Sequence, residues 1–172
     1  LSWCSDMTIE QDLIAEHSVQ RTAVKPVPGK KKMVSEISVH VVKEWDSAVL
    51  VDLYRAGGWW MQDHDPAHLP ALVRSSFAFA IAVEEATGRS VGMGRIISDG
   101  VADGYIQDLV VIPEFRGKGV GRNILRTLLA FCYERNITWI GLIAEPGTEE
   151  FYTSIGFSRM KDHIPMRYRG RL

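Results

Sequence analysis

Apolar residues recur at every second position behind Glu36, at Ile37, Val39 and Val41, the spacing of a half-buried strand. From Trp45 to about Arg55 the spacing becomes helical, with Val49 and Leu53 four residues apart and Gly57-Gly58 ending the run. Asp65-Pro66 pairs an N-cap with a proline suited to the first helical turn, which predicts a second helix to about Ser75. Residues 77–84 read as a strand, 85–89 as a turn and 90–97 as the hairpin partner. A loop over 98–104 leads into a strand over 105–112, a long helix from Asn123 to about Arg135, and a further strand over 139–144. A short helix containing Tyr152 follows, and 157–161 and 164–168 read as terminal strands, the second interrupted by Pro165. The order β-α-α-β-β-β-α-β-α-β predicts a mixed α/β (α+β) domain with an antiparallel hairpin and one crossover helix. Strict alternation along 105–112 would put Tyr105, Gln107, Leu109 and Val111 on one face and Ile106, Asp108 and Val110 on the other.

Upstream, the Pro/Gly-containing stretch at 25–32 marks a boundary between an N-terminal extension and linker (1–35) and a domain over 36–172. Thr8 and Gln11 form a capping box for a short helix to about Val19. This arm is open to reading as a leader or as a packing element at a dimer contact, and Met33 as a start site; the sequence does not choose.

Composition narrows the classes. At 172 residues, 46% hydrophobic and 24% charged, the chain suits one globular domain with a substantial core. A net charge of −1 carries no signature of a nucleic-acid or membrane binder, and Lys30-Lys31-Lys32 is simplest as a solvated linker. No apolar run approaches the ~20 residues of a membrane span, and Leu1-Ser2-Trp3-Cys4 lacks the pattern of a signal peptide. Cys4 and Cys132 have no metal-ligand spacing, so no metal site or disulfide framework is expected, and a reducing, cytoplasmic setting is the default.

The chemistry concentrates in residues 108–122. A buried strand runs into Pro113-Glu114-Phe115-Arg116-Gly117-Lys118-Gly119-Val120-Gly121-Arg122 and then into the long helix. Glycines at 117, 119 and 121 leave little bulk between successive amides, and the helix start adds unpaired N–H groups and its positive dipole end. Arg116, Lys118 and Arg122 add charge, so the loop reads as a cradle for a diphosphate. A P-loop would need Ser or Thr after Lys118, where Gly119 stands, and the Gly-x-Gly-x-Gly spacing departs from the dinucleotide fingerprint.

What does match is Arg-x-x-Gly-x-Gly (Arg116, Gly119, Gly121) behind Leu109, Val111 and Pro113. In this the sequence resembles the GNAT superfamily of acetyl-CoA-dependent N-acetyltransferases. A second segment, Phe151-Tyr152-Thr153-Ser154-Ile155-Gly156-Phe157, is similar to the family's Phe-Tyr-x-x-x-Gly-Phe signature. The residues before it are Glu145-Pro146-Gly147-Thr148, without the asparagine common there. Over about residues 36–168 the resemblance implies a central, mostly antiparallel sheet flanked by helices and splayed at the acetyl-CoA site.

It also implies direct attack of an amine on the acetyl-CoA thioester in a ternary complex, with no acyl-enzyme. The acceptor would be a primary amine of a small molecule or a protein, and a homodimer is compatible with the family. Gly117, Lys118, Gly119, Val120, Gly121 and Arg122, with Arg116, would grip the diphosphate, and backbone groups of Leu109, Val110 and Val111 would pair with the pantetheine arm as an added strand does. A Val110 or Val111 N–H would polarise the thioester carbonyl. Tyr152 is the candidate acid for the leaving thiolate and a cofactor contact. The base is open between Asp108, Glu145 and water. Trp59 and Trp60, next to Asp63-His64-Asp65, would make an aromatic and acidic wall for the acceptor, although core packing also accounts for the two tryptophans. A non-catalytic acetyl-CoA sensor of the same fold, or an assembly protein working through its N-terminal helix, are the alternatives.

Overall fold

The structure, a computed structural model, describes residues 36–169. The extension over 1–35, the helix expected from Thr8 to about Val19 and the 25–32 boundary lie outside the described residues.

β1 (Ile37–Val42) leads to α1 (Ser47–Ala56), whose start is fixed by Asp46: its carboxylate accepts N–H bonds from Ala48 and Val49 at 2.8 and 3.1 Å. Leu50, Val51, Leu53 and Tyr54 are the buried stripe of α1. Asp65 caps a 3-10 turn over Pro66–His68, which continues as α2 (Leu69–Ser75). Next come β2 (Ala78–Glu84), β3 (Arg89–Ile97), β4 (Asp103–Val111), α3 (Val120–Tyr133), β5 (Trp139–Gly141) and α4 (Glu149–Thr153). The five strands lie in sequence order in one sheet; β1 to β4 pair antiparallel and β5 joins β4 parallel.

The sheet is covered on both faces. In register, Ala80 lies opposite Gly94 and Ala82 opposite Gly92, which makes a floor of small residues. The crossover helix α3 settles onto it closely enough that a Cβ on Gly94 would lie 3.0 Å from Ile124 and 3.3 Å from Leu128. Ile124, Leu125, Leu128 and Cys132 of α3 are fully buried there. The opposite face carries Phe79, Ile81 and Met93, also fully buried, and α1 packs on β3 and β4.

Two features depart from the sequence reading. The β3–β4 register pairs Gln107 with Arg95 but Val110 with Met93, so β4 holds one residue more than its partner. Asp108 is at the bulge, with φ of 55°. Beyond it the faces exchange: Val110 shares the Gln107 side, while Leu109 and Val111 lie under α3 near Gly94 and Gly92. The second departure is at the C-terminal end, where neither 157–161 nor 164–168 forms a strand. β5 stops at Gly141 instead of 144 and offers a short edge, Pro165 has no N–H to donate, and Asp162 turns the chain at φ of 61°. Ile164, Met166 and Tyr168 stay 83%, 91% and 77% exposed.

The close approach of α3 predicts the cost of disturbing its floor. A Cβ on Gly92 would lie 2.8 Å from the Val110 carbonyl oxygen, a backbone atom with little room to give. Gly92→Ala should therefore lower stability by about 1–3 kcal/mol, read as a lower urea midpoint at unchanged slope.

Candidate active site

β4 and β5 pair only from Asp103 to Tyr105, against Trp139 to Gly141. Past that point β4 continues to Val111 with no strand on that side among the described residues, so the two strands part and leave an open edge. Ile112 donates its N–H to Val91 on β3 at 3.0 Å. Alternation then turns the backbone of Val110 toward β3 and that of Val111 and Leu109 toward the open edge. Of the three residues expected to offer edge groups, Val110 is thus committed within the sheet. The outward carbonyl of Val111 accepts Arg116 Nε at 2.9 Å.

The edge runs directly into the glycine loop. Pro113–Phe115 form one 3-10 turn, with the ring of Phe115 buried beneath Lys118, whose Nζ lies 4.6 Å from the ring centroid. Gly117 and Gly119 take φ of 71° and 82°, a region that disfavours any side chain, and a Cβ on either would point into open space. Gly119 is the N-cap of α3 and provides no side-chain bond, so the N–H groups of Val120, Gly121 and Arg122 keep the donor capacity of a helix start. The helix begins three residues before the predicted Asn123 because the left-handed glycine itself performs the turn. Val120 is buried and anchors the loop; Lys118 is exposed beside it. Arg116 straps β4 to the end of α1, reaching Ala56 O at 3.4 Å as well as Val111 O.

α4 is fastened to this loop. Phe151 fills the space over Gly121, where a Cβ would lie 3.2 Å away, and Arg122 donates to Ser154 Oγ at 3.0 Å. Tyr152 packs edge-on against Phe151 and Phe157, with centroids 5.0 and 6.0 Å apart. Its ring is half-buried and its hydroxyl has no hydrogen-bond partner among the described residues. Burial pushes the Tyr152 hydroxyl above the ordinary tyrosine range, and the Glu145 carboxylate adds to the shift, so it holds its proton.

On the other face of the sheet, α1, α2 and the segment between them enclose a cleft of about 390 Å³ that reaches Asp108. Trp59 and Trp60 line it, half-buried, and also pack against the core. Tyr54 hydroxyl donates to Asp108 Oδ2 at 2.8 Å and Arg95 Nε to the same oxygen at 2.5 Å, while Arg95 also bonds Gln107 Oε1 at 2.7 Å. Burial, then the Asp108 carboxylate, pushes the Tyr54 phenol far above its usual range. Tyr54, Arg95 and Leu72 were not among the sequence candidates. Tyr54 and Leu72 sit at core-like helical positions, and only the bulge brings Asp108 to them. A second groove, about 730 Å³, lies along α1 between Trp45, Ser90 and Glu114 and contains none of the predicted site residues. Among the described residues no helix is long and apolar enough to cross a membrane.

Comparison with known proteins follows these features. Residues 57–167, well over half of the chain, match the family described as acetyltransferase (GNAT) domain. An uncharacterized N-acetyltransferase ycf52 of Pyropia yezoensis is 33% identical over 95 residues, 55% of each chain. A rice protein named serotonin N-acetyltransferase 2, chloroplastic, is 36% identical over 77 residues, 45% of this chain and 38% of that one. The chain thus matches about half or less of the length of these relatives. Among solved structures, the GNAT family acetyltransferase SP0256 of Streptococcus pneumoniae TIGR4 superposes with a TM-score of 0.67 at 23% identity, over 80% of this chain and all of that one, a likeness of fold.

The two shifted tyrosines give a titration test. Each is held neutral in the folded chain, so the stability it contributes is present below its unfolded pKa near ~10 and is lost as pH rises toward its folded value. Alkaline absorbance titration should show Tyr54 and Tyr152 ionising above the ordinary tyrosine range. Tyr54→Phe and Tyr152→Phe should each remove one late component.

Proposed function

This chain belongs to the GNAT acetyltransferase family, and from that premise we propose that residues 36–172 form an N-acetyltransferase domain behind an extension over 1–35. It transfers acetyl from acetyl-CoA to a primary amine, by direct attack within a ternary complex. The observation that supports this best is the continuity of three features: an open β4 edge, left-handed glycines facing open space, and an uncapped helix start. A diphosphate-bearing thioester with an extended amide arm matches that sequence of donors.

Acetyl-CoA supplies the activated acetyl group. In the proposal, amides from Gly117 to Arg122 bind the diphosphate with Lys118 and Arg122, while Arg116 stiffens the loop. The outward N–H groups of Leu109 and Val111 pair with the pantetheine arm and polarise the thioester carbonyl, where charge builds during attack. The acceptor ammonium releases one proton to solvent. Its nitrogen bonds to the acetyl carbon, the carbon–sulfur bond breaks, and the nitrogen sheds a second proton to solvent. Tyr152 gives its proton to the departing thiolate and regains one from solvent; with the thiol near ~8.5 and tyrosine near ~10 the transfer is uphill, and reprotonation of the phenol from solvent draws it forward. Neutral Tyr152 suits this donor role across the physiological range. A cytoplasmic setting belongs to the proposal, alongside relatives whose names place them in chloroplasts.

Calorimetry with acetyl-CoA and a free-thiol assay over amines test it. Gly119→Glu places a carboxylate and a strained residue in the cradle and should abolish acetyl-CoA binding. Tyr152→Phe should bind normally but release thiol more slowly by on the order of 10²-fold. Normal acetyl-CoA binding by Gly119→Glu would contradict the assignment of the cradle, and binding without turnover of any amine would contradict the enzyme.

A further inference from the structure

We propose that the acceptor is an aromatic monoamine, with its ring in the cleft between α1 and α2 and its ammonium on Asp108 Oδ1; this rests on the acetyl-transfer reading above.

Three observations carry the proposal. The first is the wall. Tyr54 lies 6.4 Å from Trp59 and 6.3 Å from Trp60, and His64 meets Trp60 edge-on at 5.4 Å, so the rings brace one another. Trp59 lies directly over Gly57, where a Cβ would come within 2.6 Å, so the glycine is what lets the indole take that place. Leu69 and Leu72 complete an apolar lining, and a cleft of about 390 Å³ accommodates one aromatic ring with a short arm.

The second is the charge balance. Asp108 side chain is 22% exposed and both of its bonds fall on Oδ2, from Tyr54 and Arg95, which leaves Oδ1 for a further donor. Asp65, with Oδ1 capping the 3-10 turn, and Asp63 also line the cleft, but at its exposed rim. Asp108 is the lining carboxylate set back from solvent; Arg95 holds its Oδ2, and Oδ1 offers a place for one ammonium. A second ammonium of a polyamine or a polycationic sugar would have to pair at the exposed rim, where water screens the attraction. The aliphatic stem of a lysine side chain would gain less than a ring from the aromatic wall.

The third is placement. Asp108 immediately precedes Leu109, whose backbone faces the open β4 edge, so an amine held by Asp108 stands next to the segment that receives the thioester. Tyr54 and Arg95 act through Asp108 as positioning residues: they fix Oδ2 and aim Oδ1.

The test is thiol release from acetyl-CoA by the full chain with 2-phenylethylamine, spermidine and a lysine peptide, together with amine binding read by tryptophan fluorescence in the presence of coenzyme A. The ring-bearing monoamine should exceed the other two in kcat/KM by about tenfold or more. Trp60→Leu, which keeps apolar bulk and loses the indole face, should raise KM for 2-phenylethylamine about tenfold with kcat little changed. Asp108→Asn, which tolerates the same backbone, should weaken amine binding and leave acetyl-CoA binding intact. Tighter binding or faster turnover of spermidine or the peptide overturns the proposal and leaves acetyl transfer standing. Absence of fluorescence change with 2-phenylethylamine overturns it even if nothing is turned over. Failure to bind acetyl-CoA removes the reading beneath it as well.

Discussion

The rest of the site depends on the extra residue that β4 carries opposite β3. Holding a non-glycine residue at a left-handed φ costs about 1–2 kcal/mol, less for Asp than for most. The charge-assisted bonds from Arg95 and Tyr54 offset it, each of a kind worth about 1.5–3 kcal/mol when a charged group takes part. With the bulge in place, Asp108 points to the α1 side, Leu109 and Val111 pass under α3, and their backbone groups meet the gap where β5 has parted from β4. One local irregularity therefore aims the proposed acceptor cleft and the proposed cofactor edge at the same few residues from opposite faces of the sheet.

The second constraint couples the glycine loop to the Tyr152 helix. Gly121 lets Phe151 lie close over the first turn of α3, where a Cβ would stand 3.2 Å from the ring, and Arg122 reaches across to Ser154. The end that would grip the diphosphate and the phenol that would protonate the sulfur are thus parts of one packed unit. The close seating of α3 on Ala80, Ala82, Gly92 and Gly94 holds that unit against the sheet. Binding at one end of an acetyl-CoA molecule would in this way set the position of the group that acts at the other.

How much of this was legible in the sequence follows from what each feature is made of. The glycine loop was readable because its glycines are written out between a strand and an amphipathic helix, and the five strands of the sheet were readable in their chain order. The position of the bulge was not: Tyr105 to Val111 carries no apolar–polar alternation that an extra residue would break, and that residue is visible only against the register of β3. The face assignments for Leu109 and Val111 failed for that reason, and Tyr54 and Arg95 escaped notice with them. Apolar residues are spaced through the strands expected at 157–161 and 164–168, yet such a segment becomes a strand only where an edge exists to receive it, and three-residue β5 offers little. The glycine start of α3 was misplaced by one turn because a left-handed N-cap leaves no polar capping residue to read.

The most direct measurement is a backbone amide titration of the full chain with acetyl-CoA by heteronuclear NMR. The account predicts large shifts at Gly117, Lys118, Gly119, Val120, Gly121 and Arg122, and at Leu109 and Val111, with Val110 moved less because its backbone is held by β3. Shifts confined to the groove between Trp45, Ser90 and Glu114, or no shifts at all, would contradict it.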